Sequence, residues 1–255
     1  MQMTSYEHGV PSYIDIGERD IAAAADFYGR LFGWEAPEGT EETGFYRNAT
    51  LRGLSVAGIG PQQDPSMPPY WTTYINVDSA DDVAAKVAAA GGATIVAPMD
   101  VMDFGRMAIF ADPTGAVFGV WQPGTSIGCQ IVNEPGALAW NELITTDMDA
   151  AKQFYAAVFG WQAETHGEGG PRAYTEFSVG GRSIAGGMPK GDLMPPQVPS
   201  HWGVYFAVAD LDAALGSIKE LGGQVLMPGM DSPAGRFAGV TDPQGGAFYV
   251  IQLAS

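Results

Sequence analysis

The chain is written twice. DIAAAADFYGRLFGW at 20–34 is matched by DMDAAKQFYAAVFGW at 147–161, an offset of 127 residues. YWTTYINV (70–77) is matched by HWGVYFAV (201–208), and GGATIVAP (91–98) by GGQVLMPG (222–229). GRMAIFADPTGAVFGVWQ (105–122) is matched by GRFAGVTDPQGGAFYVIQ (235–252). The shared features keep one order while the offset drifts by only a few residues. A repeat of this length constrains the fold more than composition does, because both copies must bury the same apolar positions. Two homologous halves are expected, at 8–124 and 136–255, with a linker at 125–135.

Each half reads as strand, helix, strand, strand, then strand, helix and three short strands. PSYIDIG (11–17) alternates as a half-buried strand does. Asp20 stands where an N-cap belongs, Ile21 to Phe32 carry an apolar stripe at helical spacing, and Gly33 is a stop. Residues 44–59 form two strands around Arg52-Gly53, and 70–78 a strand. Ser79 and Asp82 open a helix that Gly91-Gly92 ends. Strands near 93–97, 105–111 and 116–121 follow, the last two joined by Asp112-Pro113-Thr114-Gly115. The second half repeats the plan around Asp242-Pro243-Gln244-Gly245. The Pro/Gly-rich segments 61–69 and 189–199 read as loops able to cover a cavity.

Composition narrows the function. The formal charge is −17, from 12 Lys and Arg against 29 Asp and Glu. That balance excludes a general nucleic-acid binder, which needs clustered cations, and disfavours anionic membrane surfaces. Cys129 is alone, so no internal disulfide exists. No apolar run reaches the length of a membrane span, and the start lacks a basic segment followed by an apolar one. A cytoplasmic protein with no membrane partner is expected. The paired glycines follow helices, whereas a phosphate cradle needs them before one, so no nucleotide site is read there.

The motif D-x-x-x-A-x-x-F-Y-x-x-x-F-G-W, the Gly-Gly helix end and D-P-x-G, each present twice in one order, resemble the vicinal-oxygen-chelate superfamily. This is the glyoxalase/bleomycin-resistance/extradiol-dioxygenase group. The doubled pattern, with W-x-E-L at 140–143, resembles the tandem glyoxalase-like proteins of actinobacteria, the culture-filtrate antigen type. The resemblance implies an α+β fold: two tandem domains, each of two βαβββ modules forming a curved mixed sheet around a cavity. It also implies four metal-ligand positions per half. Counting from the motifs puts three of them at Tyr13, Thr72 and Gly119, and at Trp140, Gly203 and Tyr249. The fourth falls near 56–58 and 184–186. None is a good ligand, although Asp15, Glu142 and His201 lie two residues away on the same faces. No metal and no other cofactor is expected.

Period two then lists what faces inward: Tyr13, Asp15, Tyr70, Thr72, Tyr74, Asn76, Gly119 and Trp121, then Trp140, Glu142, His201, Gly203, Tyr205 and Tyr249. Rings with a few polar groups are what small-molecule pockets commonly offer. Asp15 and Glu142 occupy equivalent places, and a carboxyl among rings would be a base of raised pKa or else a structural partner. His201 and Tyr205 complete the candidate catalytic set. Tyr13, Tyr74, Asn76, Arg106, Trp140, Arg236 and Tyr249 are candidates for ligand binding. Arg106 and Arg236 would clamp an anion or make a salt bridge. Phe27, Tyr28, Phe154 and Tyr155 lie on helix stripes and read as core, with Trp34 and Trp161 as packing anchors. The expected function is binding of a small organic molecule, with metal-independent lyase, isomerase or hydroxylase-type chemistry. The alternative is sequestration of a drug or metabolite without turnover, as in bleomycin resistance. A monomer of pseudo-twofold halves or a weak homodimer is expected.

Overall fold

A computed structural model describes residues 1–167, 173–191, 194–195 and 197–254. In the first half, β1 (Pro11–Glu18), α1 (Ile21–Phe32), β2 (Arg47–Leu51) and β3 (Leu54–Pro61) form one module. β4 (Trp71–Asn76), α2 (Ala80–Ala89), β5 (Ala93–Val101), β6 (Gly105–Ala111) and β7 (Val117–Pro123) form the next. Their strands make a seven-stranded sheet in the order β2-β3-β1-β4-β7-β6-β5. β1 runs parallel to β3 and antiparallel to β4, so the modules meet along β1 and β4.

The second half repeats this with β8 (Leu138–Thr145), α3 (Met148–Phe159), β9 (Gln162–His166), β10 (Tyr174–Val179) and β11 (Arg182–Pro189). β12 (His201–Ala207), α4 (Leu211–Glu220), β13 (Gln224–Ser232), β14 (Gly235–Thr241) and β15 (Ala247–Leu253) complete it. The eight-stranded order is β13-β14-β15-β12-β8-β11-β10-β9. The extra strand β9 is not foreseen in the sequence. Every residue of it is exposed, so it carries no apolar alternation to read; in the first half the matching stretch makes only the isolated bridge Glu35↔Thr50. Residues 192, 193 and 196 of the expected loop at 189–199 lie outside the described residues. Among the described residues no helix is long and apolar enough to cross a membrane.

Local signals explain the helices. The Asp20 and Asp147 side chains accept from the Ala23 and Ala150 amides, both at 2.9 Å, and Gly33 and Gly160 close the same helices in the left-handed conformation. The cores, however, do not belong to the halves. One joins Ile14, Ile16, Tyr28 and Trp71 to Phe206, Leu211, Ile218 and Phe248. The other joins Val83, Val87, Phe110 and Phe118 to Phe154, Tyr155, Phe177 and Trp202. The first module of each half therefore packs on the second module of the other.

The D-P-x-G turns pin this exchange. Asp112 Oδ1 accepts from the Thr114 and Ala116 amides at 2.8 and 3.1 Å, and its Oδ2 accepts from Tyr155 of the other half at 3.1 Å. Asp242 Oδ1 accepts from the Gln244 and Gly246 amides, and its Oδ2 from the Tyr28 hydroxyl at 2.7 Å. Trp34 and Trp161 donate across the same seams to the Gly136 and Gly9 carbonyls, at 2.6 and 2.7 Å.

Two expectations follow. The Trp202 indole donates to the Tyr155 hydroxyl at 2.9 Å, so Tyr155→Phe strands a buried donor and acceptor together. That should cost about 2–3 kcal/mol, and denaturant unfolding should remain one transition, because neither half owns a core. The second concerns Glu18, which is fully buried beside Asp242 with neither carboxyl oxygen hydrogen-bonded. Burial first, and then the Asp242 carboxyl, raises its pKa well above the carboxylate range. The folded state holds this proton to a higher pH than the unfolded chain does, so stability is lost as pH rises from the ordinary carboxyl range through the raised value. Glu18→Gln should melt higher than the parent, with a gap that widens from pH 5 to pH 9 in thermal scans.

Candidate functional site

The sheet faces turned away from the cores form two cups, and strand register places a carboxyl at the same point in each. Asp15 pairs with Gly58 on one side and Thr72 on the other. Glu142 pairs with Gly186 and Gly203.

In the first cup, Asp15 Oδ2 accepts from the Tyr74 hydroxyl at 3.0 Å and the Tyr46 hydroxyl at 3.2 Å. The Tyr13 and Tyr46 hydroxyls are bonded to each other at 3.1 Å. Burial pushes the Asp15 carboxyl up to about 6, against the pull of hydrogen bonds from Tyr74, Tyr46 and Thr72. In the second cup, Glu142 Oε1 accepts from the Tyr205 hydroxyl at 2.8 Å. The Trp140 indole donates to the Tyr174 hydroxyl at 2.9 Å. Burial raises the Glu142 pKa, opposed by hydrogen bonding from Tyr205 and Tyr174. Tyr205 and Tyr249 are stacked, with ring centroids 4.4 Å apart and planes 10° from parallel.

His201 stands on the same face of β12 as Tyr205. Its Nδ1 is 2.9 Å from the Pro199 carbonyl, which can only accept. Nδ1 therefore carries the proton and Nε2 the lone pair. Burial lowers its pKa from 6.5, so the ring is neutral at pH 7.

Other candidates lie elsewhere. Arg106 and Arg236 are on the helix side of their sheets, not in the cups. Arg106 is held at 2.9 Å by both Asp81 and Asp100, and Arg236 at 2.7 Å by Asp212. Of the two expectations for them the salt bridge is the one seen, and strand parity explains it: their neighbours Met107 and Phe237 take the cup face, Met107 opposite Trp121 and Phe237 in ring contact with Tyr205. Asn76 is buried and spends its amide on the Tyr6 and Glu7 carbonyls, at 3.0 and 3.3 Å, so it anchors the N-terminal segment. Buried Cys129 donates to the Val56 carbonyl, and burial pushes its thiol up to about 12.

Tyr46 and Tyr174 are the site residues that the sequence reading lacks. They are the same residue of the repeat, 128 positions apart. Each lies over a glycine of the next strand. A Cβ at Gly58 would stand 1.6 Å from the Tyr46 hydroxyl oxygen, and one at Gly186 2.0 Å from that of Tyr174. Glycine is thus required where these phenols cross the sheet toward the carboxyl.

The chain belongs to the Glyoxalase/Bleomycin resistance protein/Dioxygenase superfamily, whose model matches residues 11–120 and again 129–249. It is similar along 98% of its length to CFP32 of Mycobacterium tuberculosis, at 40% identity over 97% of that protein. It is similar over the same share to the anthracycline biosynthesis protein DnrV of Streptomyces peucetius, at 39% identity over 96% of that protein. Among solved structures, the fold is shared with the 2,3-dioxygenase LapB of Pseudomonas sp. KL28: TM-score 0.69, 14% identity, 98% of this chain and 94% of that one. It is shared as well with an Mn(II)-bound glyoxalase of Novosphingobium aromaticivorans: TM-score 0.65, 17% identity, 96% and 83%.

The residues here do not fit such a cation. Among the described residues no three His, Cys, Asp or Glu side chains come together to hold one. The first cup offers one carboxyl, Asp15; the second offers Glu142, with Glu176 in the same cross-strand row beyond Gly186, and phenols surround the central acid where a divalent ion would take imidazole and carboxylate. Tyr46→Phe removes a donor that favours the charged form of Asp15. Its carboxyl should then titrate above 6, measured by carbon NMR of labelled aspartate.

Proposed function

We propose that the protein binds a planar, hydroxylated aromatic compound in the second cup and moves a proton on it through Glu142, without a metal ion in the step. The observation that carries this reading is a buried carboxyl of raised pKa held among phenols. A carboxylate kept from water is a stronger base than one in solution. The stacked Tyr205 and Tyr249 rings give a flat wall suited to a flat ligand. His201 Nε2 supplies a lone pair for a ligand hydroxyl, and Tyr249 a phenol for a developing oxyanion. The second cup is preferred because Asp15 in the first is already shared among three hydroxyl donors.

The chemistry such a group supports is isomerisation. The Glu142 carboxylate takes a proton from a carbon next to a carbonyl, and the C–H electron pair moves onto the carbonyl oxygen. The proton then returns at another carbon, with no net gain or loss of electrons. The relatives DnrV and DauV, at 39% and 37% identity, are named for anthracycline biosynthesis, and anthracyclines are built on flat fused rings.

Glu142→Gln keeps the shape and hydrogen bonding of the side chain and removes the base. With a panel of hydroxylated anthraquinones, binding followed by tryptophan fluorescence should stay within about threefold while turnover falls at least a hundredfold. Parent turnover should decline on the acid side, with a midpoint above the ordinary carboxylate range, and should be unchanged by chelators. If affinity falls instead and the parent gives no product, the protein sequesters its ligand and the isomerase reading fails.

A further inference from the structure

We infer that the cleft between the 35–43 loop and β2 is a second binding site, for a compound carrying a protonated amine on a hydroxylated ring, the chemistry of an amino sugar. The cleft holds about 600 Å³ and is lined by the loop, by Tyr46 and by Asn48 and Thr50 of β2. It is separate from the second cup and does not rest on the reading given to Glu142.

Tyr46 forms the floor. Its hydroxyl is committed to Asp15 and Tyr13, so what it offers the cleft is its ring. The C–H face of a sugar packs on such a ring, and an ammonium over it is attracted by the π-face. Asn48 Oδ1 accepts from the Ser55 hydroxyl at 3.0 Å, which leaves the Asn48 amide protons to donate to a ligand hydroxyl. Glu35 and Glu38 bring two carboxylates to the rim. One cation stands against them: Arg47 donates to the Ala36 carbonyl at 3.2 Å and approaches Glu38 only to 4.0 Å. The balance is negative, Ala36 and Pro37 share the walls with the threonines and Asn48, and the aromatic surface is one ring wide. A flat polycycle finds only one ring to stack on, whereas a hydroxylated cation finds the rim carboxylates for its ammonium, the Tyr46 ring for its C–H face and the Asn48 amide for a hydroxyl.

The test uses the full chain in 150 mM salt, with glucosamine as probe and glucose and N-acetylglucosamine as its uncharged counterparts. Binding is read by saturation-transfer NMR titration. Glucosamine should saturate, and both counterparts should bind at least tenfold more weakly. The double variant Glu35→Gln, Glu38→Gln should weaken glucosamine at least fivefold, and Tyr46→Phe should keep binding that Tyr46→Ala loses. Asp149→Asn, a charge change on α3, should leave glucosamine binding intact. Circular dichroism melts establish that each variant is folded. Equal binding of glucosamine and N-acetylglucosamine would overturn the proposal. So would full retention by the double variant, or equal loss with Asp149→Asn, which would mark attraction to the chain's overall negative charge.

Discussion

The bond from a helix tyrosine of one half to a turn aspartate of the other organises this molecule. Tyr28 reaches Asp242 and Tyr155 reaches Asp112. Each aspartate does two things at once: one oxygen ties the D-P-x-G turn to its own backbone, and the other receives the visiting phenol. A buried carboxylate is costly unless its lone pairs are occupied. The turn is therefore fully satisfied only when the other half is docked. This is why the F-Y pair and the D-P-x-G turn occur together and twice, although the tyrosine and the aspartate are 84 positions apart in one half and 87 in the other. With all four helices committed to shared cores, the opposite sheet faces turn inward with a second set of buried side chains, among them Tyr74, Trp121, Glu142 and Tyr205.

The same accounting applies inside the cups. Asp15 and Glu142 are sunk among rings, and their desolvation is offset by hydroxyl donors from neighbouring strands. Tyr74 and Tyr205 sit at the same place on β4 and β12. Tyr46 and Tyr174 come across from the far side, over glycines. A hydroxyl donor favours the charged carboxylate while burial disfavours it, and the outcome for Asp15 is a carboxyl near 6. Where a metal centre would gather several ligands around one point, each cup sets phenols around its central acid. That arrangement stores a proton within reach of neutral pH and leaves the acid a hydrogen-bonded orientation.

Much of this was legible in the chain. The repeat gave the two sheets, and period-two counting put Tyr13, Asp15 and Tyr74, and Trp140, Glu142 and Tyr205, on one face, because strands β1, β4, β8 and β12 are central and their register shifts fall outside these stretches, at Pro11/Tyr13 and Tyr205/Phe206. Tyr46 and Tyr174 escaped because one just precedes β2 and the other opens β10, both outside every motif; their shared repeat position and the glycines at 58 and 186 were the available signals. Arg106 and Arg236 stayed open between an anion clamp and a salt bridge because they begin strands, where a motif tells less than a register does; the salt bridges are what they make. Counting back from Trp121 would have put Met107, not Arg106, in the cup. The exchange of modules between halves left no trace in periodicity, since an apolar stripe does not name the surface it will cover.

Duplication under these constraints leaves the two faces of each sheet unequal in freedom. On the helix face a substitution in one half is felt by the other, because Phe206 packs against Phe32, Trp34 and Trp71 across the seam. On the cup face no partner half intervenes, and alternate strand positions change without disturbing the core behind them. Thr72 where the other half has Gly203, and Gly119 where it has Tyr249, are differences of that kind. Tyr249 stacks on Tyr205 in one cup, while Tyr74 lies over a glycine in the other. One cup thereby acquires a stacked pair of rings, and the other a tyrosine that lies over glycine and donates to its acid. A common core with divergent cups follows from which side of each strand the other half occupies.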